Sequence, residues 1–414
     1  MSKIRIRNFG PVKNGYQENE GWIEIQKITL FIGNQGTGKS SIAKLISTFT
    51  WIEKALTRGD YTAQEFTGSG RFKDIYCAYH RIENYFYNKE GIDKAEIEYE
   101  GESYSMQYKN GQFFVQEKKN SIYKLPQVMY VPAERSFISN VQDGNARKLR
   151  QIAEPVLELT TEFGLALKSL ESPMELPINN AYLNYDKKND ITYIEGEDYK
   201  IKLHESSSGF QSIVPLFVVT DYLANSILSQ TKNATDMSSE DLQRFKDGVS
   251  TIWSDYSLSD EQRRAALSVL SARFNKTAFI NIVEEPEQNL FPSSQRSILN
   301  SLLSYNNLSV GNKLVITTHS PYIINYLTLA IKAKMILDNP KITEELRERV
   351  NHIVPVNSTV SSSDIVIYEI AANGIISVLE NYKGLPSDEN YLNNLLSEAN
   401  YLFSDLKEIE RQCR

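Results

Sequence analysis

The sequence contains little cysteine, which restricts the chemistry open to it. Cys77 and Cys413 are the two cysteines among 414 residues, and no Cys-x-x-Cys pair is present. Such a pair would be the sequence mark of a zinc site or a redox centre. We therefore expect both cysteines to be unreactive thiols, as is usual for reduced proteins of the cell interior.

Long hydrophobic runs are also missing. The longest apolar stretches, such as residues 213–219, are far shorter than the roughly 20 residues that a helix needs to cross a bilayer. The N-terminus shows no apolar run followed by a small-residue cleavage site, which argues against a secretory signal. The sequence predicts a cytoplasmic protein with no membrane span.

Positive charge is not in excess, because the formal net charge is −7. This argues against the coating of a polyanion, and since Lys and Arg are scattered rather than striped, nucleic-acid binding is left undecided. Internal repeats, low-complexity segments and the sustained heptads of a long coiled-coil arm are absent. With 41% apolar and 23% charged residues, the composition is that of a globular protein.

A glycine-rich segment follows the first apolar strands. It reads Gly33-Asn34-Gln35-Gly36-Thr37-Gly38-Lys39-Ser40, with Ser41 next, and matches G-x-x-x-x-G-K-[ST] between a strand and a helix over 40–56. The glycines allow backbone N–H groups to surround phosphates at a helix N-terminus. Lys39 would reach the β- and γ-phosphates of ATP, and Ser40 would offer a hydroxyl to Mg²⁺. The alternative is a chance glycine-rich turn.

Two carboxylates end a second apolar run, Phe279-Ile280-Asn281-Ile282-Val283-Glu284-Glu285-Pro286-Glu287. Such a run is typical of a buried parallel strand whose C-terminal end meets a ligand. We predict that Glu284 holds the Mg²⁺ shell and that Glu285 orients the attacking water. Considered alone, the pair could also be a solvated turn.

A third strand, within Lys313-Leu314-Val315-Ile316-Thr317-Thr318-His319-Ser320, delivers a histidine at its end. The imidazole of His319 can hydrogen-bond a γ-phosphate oxygen and so distinguish ATP from ADP. A purely structural histidine is the alternative.

The segment Ser206-Ser207-Ser208-Gly209-Phe210-Gln211-Ser212 lies between the other motifs and places a hydroxyl and free N–H groups at a helix start. It could equally be a plain helix cap.

In this order the four motifs resemble the ABC-type ATPase heads of the SMC and OLD classes. The resemblance covers roughly residues 1–50 and 200–330, including Ile6-Arg7-Asn8-Phe9-Gly10 at the start. Ser208-Gly209-Phe210-Gln211 looks like the signature Ser-Gly-Gly-Gln, with Phe210 in place of a glycine. Glu284-Glu285-Pro286-Glu287 looks like the acidic motif of the OLD class, and the following loop, 288–292, lacks the histidines that relatives often carry.

The resemblance implies a homodimer or higher homo-oligomer in which Ser208, Gly209 and Gln211 of one subunit complete the ATP site of the other. The γ-phosphate would bridge the halves, and hydrolysis would remove the bridge. The segment Val128-Met129-Tyr130-Val131-Pro132-Ala133-Glu134-Arg135 is similar to one in defence-associated relatives. Glu134 or Arg135 would then connect the ATP state to the insertion that follows, the alternative being an ordinary surface ion pair.

We predict an α/β fold of the ABC-type P-loop NTPase head, with a mainly parallel core sheet, an antiparallel β lobe and a helical lobe insertion. Residues 1–135 would hold the P-loop and an antiparallel meander over about 92–131. Residues 136–275 would form the helical lobe, with a helix over about 239–274, a hairpin over about 182–203 turning at Gly196, and the signature at 206–212. Residues 276–330 would complete the core, and 331–414 would be an accessory α/β segment.

Three functions agree with this pattern to different degrees. The first is a standalone ATPase of a prokaryotic antiphage system, similar to the OLD-like and PARIS-type components, which senses a phage-derived trigger protein and controls a separate nuclease or toxin. Residues 320–414 are too few for a fused Toprim nuclease with its connecting region, and they show no paired acidic strand ends. The second is a DNA-repair or chromosome-associated ATPase, which would need coiled-coil arms or a cysteine hook. The third is a nucleotide-binding scaffold, against which Lys39, Glu285 and His319 argue.

Overall fold

The structure is a computed structural model that describes residues 2–68, 70–119, 123, 125–141, 153–232, 239–255, 270 and 276–413. The strands of the described residues are β1 (Ser2–Arg7), β2 (Gly15–Tyr16), β3 (Ile23–Ile25), β4 (Ile28–Gly33), β5 (Glu96–Glu100), β6 (Tyr104–Lys109), β7 (Gln112–Glu117), β8 (Pro126–Val131), β9 (Met174–Glu175), β10 (Tyr182–Asp186), β11 (Ile191–Glu195), β12 (Lys200–Lys202), β13 (Ala278–Glu284), β14 (Lys313–Thr318), β15 (Ile365–Ile370), β16 (Ile375–Val378), β17 (Asn381–Tyr382) and β18 (Leu385–Pro386).

The same residues form ten α-helices. They are α1 (Lys39–Arg58), α2 (Ala63–Thr67), α3 (Ile138–Val141), α4 (Glu154–Ser169), α5 (Ser208–Lys232), α6 (Ser239–Ser254), α7 (Pro292–Asn307), α8 (Pro321–Leu337), α9 (Glu344–Ile353) and α10 (Tyr391–Gln412). The predicted helix over 239–274 begins as α6, and its positions 256–269 and 271–274 lie outside the described residues.

The central sheet has the strand order β2-β16-β15-β4-β14-β13-β8. Strands β15, β4, β14, β13 and β8 run parallel, so their C-terminal ends lie along one edge. Every residue of β4, β8 and β13 is buried, as expected for apolar strands that are covered on both faces. The predicted α/β fold with a mainly parallel core is thereby confirmed.

An antiparallel sheet, β3-β1-β5-β6-β7, packs on the other side of α1. Its β5–β7 part is the predicted meander, and Asn110 and Gly111 turn between β6 and β7 with φ of 52° and 74°, the positive values of a tight hairpin turn. Strand β8 leaves the meander and joins the central sheet instead. Residues 365–378 also enter that sheet, since β15 pairs with β4 next to the P-loop.

The predicted hairpin at 182–203 is present with its turn in a different place. Strands β10 and β11 turn at residues 187–190, whereas Gly196 lies in the following turn between β11 and β12. The carboxylate of Asp186 accepts hydrogen bonds from the backbone N–H groups of Lys188 and Asn189, and Asp190 takes a φ of 56°. Polar side chains therefore stabilise this turn without a glycine.

Helix α5 lies in the hydrophobic core between α4, α7 and the central sheet. Its part Ser208–Ser229 is, among the described residues, the one helix long and apolar enough to cross a membrane by length and composition, with a mean hydropathy of 1.4. Because 67% of that stretch is buried inside the molecule, it has the surroundings of a core helix.

Candidate nucleotide-binding site

The glycine-rich turn joins β4 to α1 and has backbone angles that only glycine adopts readily. Gly33 has a φ of 143°, and a Cβ there would lie 2.3 Å from the carbonyl oxygen of Ile370. Gly38 has a φ of 109°, and a Cβ there would lie 2.8 Å from Val12. Two of the glycines that the motif requires are thus fixed by local geometry. Ser40 and Ser41 follow in the first turn of α1.

Lys39 is buried against its own loop, with 4% of its surface exposed. Its ammonium donates to the carbonyl oxygens of Gly33 at 2.9 Å and Asn34 at 2.7 Å. Burial lowers the pKa of Lys39 to about 8, against the opposing charges of Glu285, Glu287 and Glu284. The ammonium therefore lies inside the loop, at the place where the loop would surround the phosphate oxygens.

Glu284 ends β13 beside this loop and is 4% exposed. One carboxylate oxygen accepts a hydrogen bond from the backbone N–H of Ala133 at 3.3 Å, and the other, Oε1, is buried and has no hydrogen-bond partner among the described residues. A buried carboxylate oxygen of a residue close enough to Lys39 to act on its charge fits a Mg²⁺ site. Among the described residues no group of three or more His, Cys, Asp or Glu side chains forms a metal cage. A site that relies on phosphates and one hydroxyl needs no such cage.

His319 connects the lysine to the second carboxylate. Its Nδ1 lies 3.3 Å from the Lys39 ammonium, and its Nε2 lies 3.2 Å from Oε1 of Glu285. Since an ammonium can only donate and an ionised carboxylate can only accept, both contacts are satisfied by a neutral imidazole with its proton on Nε2. The hydrogen bond from His319 lowers the pKa of Glu285, and burial opposes that shift. The predicted acid and the predicted switch histidine are therefore direct neighbours.

Glu287 is a functional candidate that the sequence reasoning did not single out. One of its carboxylate oxygens accepts from the Thr318 hydroxyl at 2.7 Å and from the backbone N–H of His319 at 2.8 Å. Burial raises the pKa of this carboxyl, while the two hydrogen bonds act in the opposite direction. Glu287 thus fixes the strand end that carries His319. The sequence places Glu287 in the acidic motif, but it does not reveal this contact because the backbone N–H that Glu287 binds lies 32 residues away.

Arg135 is fully buried, so the surface ion pair considered from the sequence is not what this side chain forms. Its guanidinium donates to the carbonyl oxygens of Glu284 at 2.6 Å, Glu285 at 2.5 Å and Ser212 at 3.1 Å. Burial lowers the pKa of Arg135 to about 10. Glu285 has a φ of 43°, an unfavourable angle for a residue other than glycine. Arg135 stabilises that turn and ties it to α5.

The signature segment begins α5 and contacts the loop after the acidic motif. Ser208 is exposed at the start of α5, and among the described residues no hydrogen bond joins 206–212 to 33–40. Gln211 turns inward, where its amide donates to the carbonyl oxygens of His204 at 3.0 Å and Ser206 at 2.8 Å. Gly209 packs against the loop after the acidic motif, since a Cβ there would lie 3.1 Å from the carbonyl oxygen of Asn289. The structure therefore brings Lys39, Glu284, Glu285 and His319 together, whereas Ser208 is exposed and Gly209 is half-buried against the loop after the acidic motif.

Residues 146–324 match the family described as AAA ATPase domain. The matched range holds the signature segment, the acidic strand and His319, and it lies after the P-loop in the chain. Together with the P-loop geometry, the match supports a P-loop ATPase and ATP hydrolysis as its reaction. No curated protein matches the chain.

Several solved structures are similar to the chain over most of its length. The SMC head domain from Thermotoga maritima is 9% identical with a TM-score of 0.37, covering 92% of this chain and 98% of that one. The Smc head domain derived from Pyrococcus furiosus, bound to the C-terminal domain of ScpA, is 10% identical with a TM-score of 0.36, covering 98% and 100%. A dimeric ATP-binding cassette in a post-hydrolysis state, bound to ADP and phosphate, is 11% identical with a TM-score of 0.29, covering 92% and 100%. These likenesses are too distant to indicate a function.

Proposed function

We propose that the protein is a Mg²⁺-ATP-dependent ATPase of the ABC type that acts as a dimerising switch. The observation that supports this most directly is the chain of contacts Lys39–His319–Glu285 at the mouth of the P-loop. It places a phosphate-binding cation, a hydrogen-bonding sensor and a carboxylate base within reach of one another.

Each residue then has a defined part in the reaction. When bound, Mg²⁺ would neutralise charge on the β- and γ-phosphates, and the Ser40 hydroxyl and the unpaired oxygen of Glu284 would hold it. Lys39 exchanges its loop carbonyls for phosphate oxygens. Glu285, whose pKa is lowered by the hydrogen bond from His319, orients a water for attack on the γ-phosphate and accepts its proton. His319 changes its hydrogen bonds when the γ-phosphate leaves.

The dimer follows from the placement of Ser208 and Gly209. Ser208 is exposed at the N-terminal end of a 25-residue helix and Gly209 follows it, where a hydroxyl and backbone N–H groups suit a phosphate. Among the described residues no hydrogen bond joins either of them to the P-loop of their own chain. We infer that a second copy brings its P-loop to them. Hydrolysis would then remove the phosphate that holds two subunits together.

The substitution Glu285→Gln tests the ATPase and the switch together. We expect turnover to fall by about 10²–10⁴-fold, because the amide cannot accept the proton, while ATP binding is retained. The variant should therefore accumulate as an ATP-bound dimer. Phosphate release and analytical ultracentrifugation with Mg²⁺-ATP or Mg²⁺-ADP measure both effects. Glu175→Gln, at an exposed carboxylate, is the matched control.

A dimer that forms equally with ADP, or a variant with unchanged turnover, would contradict the proposal. A nucleotide-binding scaffold with little turnover would show no change in turnover on this substitution.

For the biological role we propose a regulator in a bacterial antiviral defence system that senses a phage-derived protein and controls a separate nuclease or toxin. This rests on the resemblance of the motifs to standalone OLD-like and PARIS-type ATPases. The test is phage challenge of bacteria carrying this gene with its neighbouring gene, with Lys39→Ala as the inactive control. Protection that is lost with Lys39→Ala supports the role. DNA-damage sensitivity instead of phage sensitivity would favour a DNA-repair ATPase.

A further inference from the structure

A cavity of about 440 Å³ opens beside the P-loop helix, away from the phosphate-binding turn. We name it the aromatic pocket, after its side walls of Trp51, Tyr61, Tyr76 and Tyr79. The ring of Trp51 lies 5.9 Å from that of Tyr61 and 5.8 Å from that of Tyr76, measured between centroids. Trp51 is 40% and Tyr61 38% exposed, so their rings face the cavity opening rather than a closed core.

The rim of the aromatic pocket is acidic. Glu154 and Glu158, one turn apart near the start of α4, line the opening with exposed carboxylates, and Glu158 accepts a hydrogen bond from the Tyr79 hydroxyl. Among the described residues that line the aromatic pocket, none is Lys or Arg. The two carboxylates repel phosphates and other anions and attract a cation.

The floor of the aromatic pocket offers a neutral hydrogen-bonding group. His80 is 3% exposed, and its Nδ1 has no hydrogen-bond partner in the described part of the chain. Burial, aided by the charge of Lys44, lowers the pKa of His80 to about 3, so the imidazole is uncharged near neutral pH. The His80 ring packs edge-on against Tyr130 with centroids 4.5 Å apart. With its proton on Nε2, His80 would present Nδ1 as an acceptor for an N–H donor in the cavity.

We propose that the aromatic pocket binds an organic cation, an alkylammonium or guanidinium group. Aromatic faces attract such cations, and the attraction grows where water is displaced. Carboxylates at the rim add Coulomb attraction. The buried imidazole would accept a hydrogen bond from a head group that carries an N–H, as a guanidinium does and a quaternary ammonium does not. The cavity lies within the roughly 300–1,000 Å³ range of small-ligand sites. Two sources share this chemistry: a free small molecule, and the Lys or Arg side chain of a partner protein.

The aromatic pocket adjoins two elements of the nucleotide site. Trp51 belongs to α1, whose first residue is Lys39, and Tyr130 belongs to β8, which leads to Arg135. The Tyr130 hydroxyl lies beside the Glu284 carboxylate, and burial together with that charge raises the pKa of Tyr130. A ligand in the aromatic pocket would therefore contact the same helix and strand that position the ATP-binding residues.

Calorimetric titration of the full chain with choline and agmatine tests the proposal. We expect saturable binding of at least one of them and at least about tenfold weaker binding of the neutral tert-butyl isostere of choline. The double substitution Glu154→Gln/Glu158→Gln and the single substitution Trp51→Leu should each weaken binding about tenfold or more. Glu175→Gln and Trp22→Leu are the matched controls, and circular dichroism checks that every variant is folded.

Two further arms identify the source of the cation. Capped tripeptides with a central Arg or Lys that bind at least as tightly as agmatine would assign the site to a partner's side chain. Binding of the free cations alone would assign it to a small molecule. Failure of every cation to bind the wild-type chain, or equal affinity in the folded double variant, would overturn the proposal. The titration needs no ATP, so it does not depend on the ATPase.

Discussion

Among single residues, Arg135 does the most to shape the candidate site without facing a phosphate. It contacts the carbonyl oxygens of Glu284, Glu285 and Ser212, which belong to two different elements. A planar guanidinium with five donors can make these contacts at once, whereas a lysine ammonium is a compact donor on a flexible stem. Arg135 is therefore a positioning residue for Glu285.

We predict that Arg135→Lys lowers the kcat for ATP by roughly 10–10²-fold with a much smaller change in KM. The reason is that Lys39 and the P-loop still bind ATP while the Glu285 carboxylate loses its fixed orientation. Steady-state phosphate release gives both constants, and thermal unfolding monitors stability. The exposed Arg349→Lys serves as the control. A proportional rise in KM with unchanged kcat would show that Arg135 acts on binding instead.

The residues of the site were predictable to different extents. Lys39, Glu284, Glu285 and His319 could be found because each follows an apolar strand, and parallel strands end at one edge of a sheet. Glu287 could not, since it acts on a backbone N–H 32 positions away. Gln211 fitted a signature pattern, yet its side chain holds the loop before α5, which a pattern of residue types does not reveal.

Among the elements, α1 connects the parallel core to the antiparallel sheet through Glu53. This carboxylate is 1% exposed and accepts hydrogen bonds from the backbone N–H groups of Ser103 at 2.6 Å and Tyr104 at 3.2 Å and from the Tyr99 hydroxyl at 3.1 Å. Burial raises the pKa of Glu53, and the nearby charge of Glu102 acts in the same direction. The P-loop helix and the meander therefore share a titratable contact.

This contact predicts a pH dependence of stability. Because the pKa of Glu53 is higher in the folded than in the unfolded chain, its contribution is fully present below about 4.5 and is lost as the pH rises through the folded value. The free energy of unfolding of the wild type, relative to the non-titrating Glu53→Gln variant, should thus fall as the pH is raised from about 4.5 toward neutrality. Urea unfolding across that range measures it. A difference that grows with pH would contradict the assignment.

Two glycines in different elements should respond to alanine with opposite signs. A Cβ at Gly101 would lie 2.3 Å from both carboxylate oxygens of Glu53, so we expect Gly101→Ala to destabilise the fold by about 1–3 kcal/mol. Gly164 lies within α4, and no atom of the described residues lies within 4 Å of a Cβ there, so Gly164→Ala should stabilise by about 0.5–1 kcal/mol. Urea unfolding compares both with the wild type. Equal effects of the two substitutions would rule out the Glu53 clash as the cause.

At the scale of the whole molecule, the sequence indicates the type of fold, but it does not indicate which strands lie next to each other in a sheet. The apolar run of β15 predicts a strand, but β4, β13 and β14 have the same pattern, and such runs do not state which strand lies next to which. Its place beside β4 is fixed by contacts, including the carbonyl of Ile370 that leaves no room for a Cβ at Gly33. Residues 365–370 therefore support the P-loop from outside the motifs.

The dimer proposal makes a prediction that concerns the molecule as a pair. Lys39→Ala removes the phosphate-binding lysine, and Ser208→Arg blocks the exposed start of α5, so each variant alone should have little turnover. In a mixed dimer one site carries both defects and the other carries none. Random mixing at equal concentrations makes about half of the dimers mixed, and each mixed dimer has one intact site of its two. Equimolar mixing should therefore restore up to about a quarter of wild-type turnover.

The mixture distinguishes a shared site from one completed within a single chain. If Ser208 and Gly209 served the P-loop of their own chain, each subunit would keep its single defect and mixing would restore nothing. Phosphate release is measured for each variant alone, for the mixture and for the double variant Lys39→Ala/Ser208→Arg mixed with wild type. Mixing two folded variants without gain would place the signature segment outside the site of the partner. Recovery would show that the γ-phosphate contacts two chains, because an intact site can then arise only between one subunit's Lys39 and the other's Ser208.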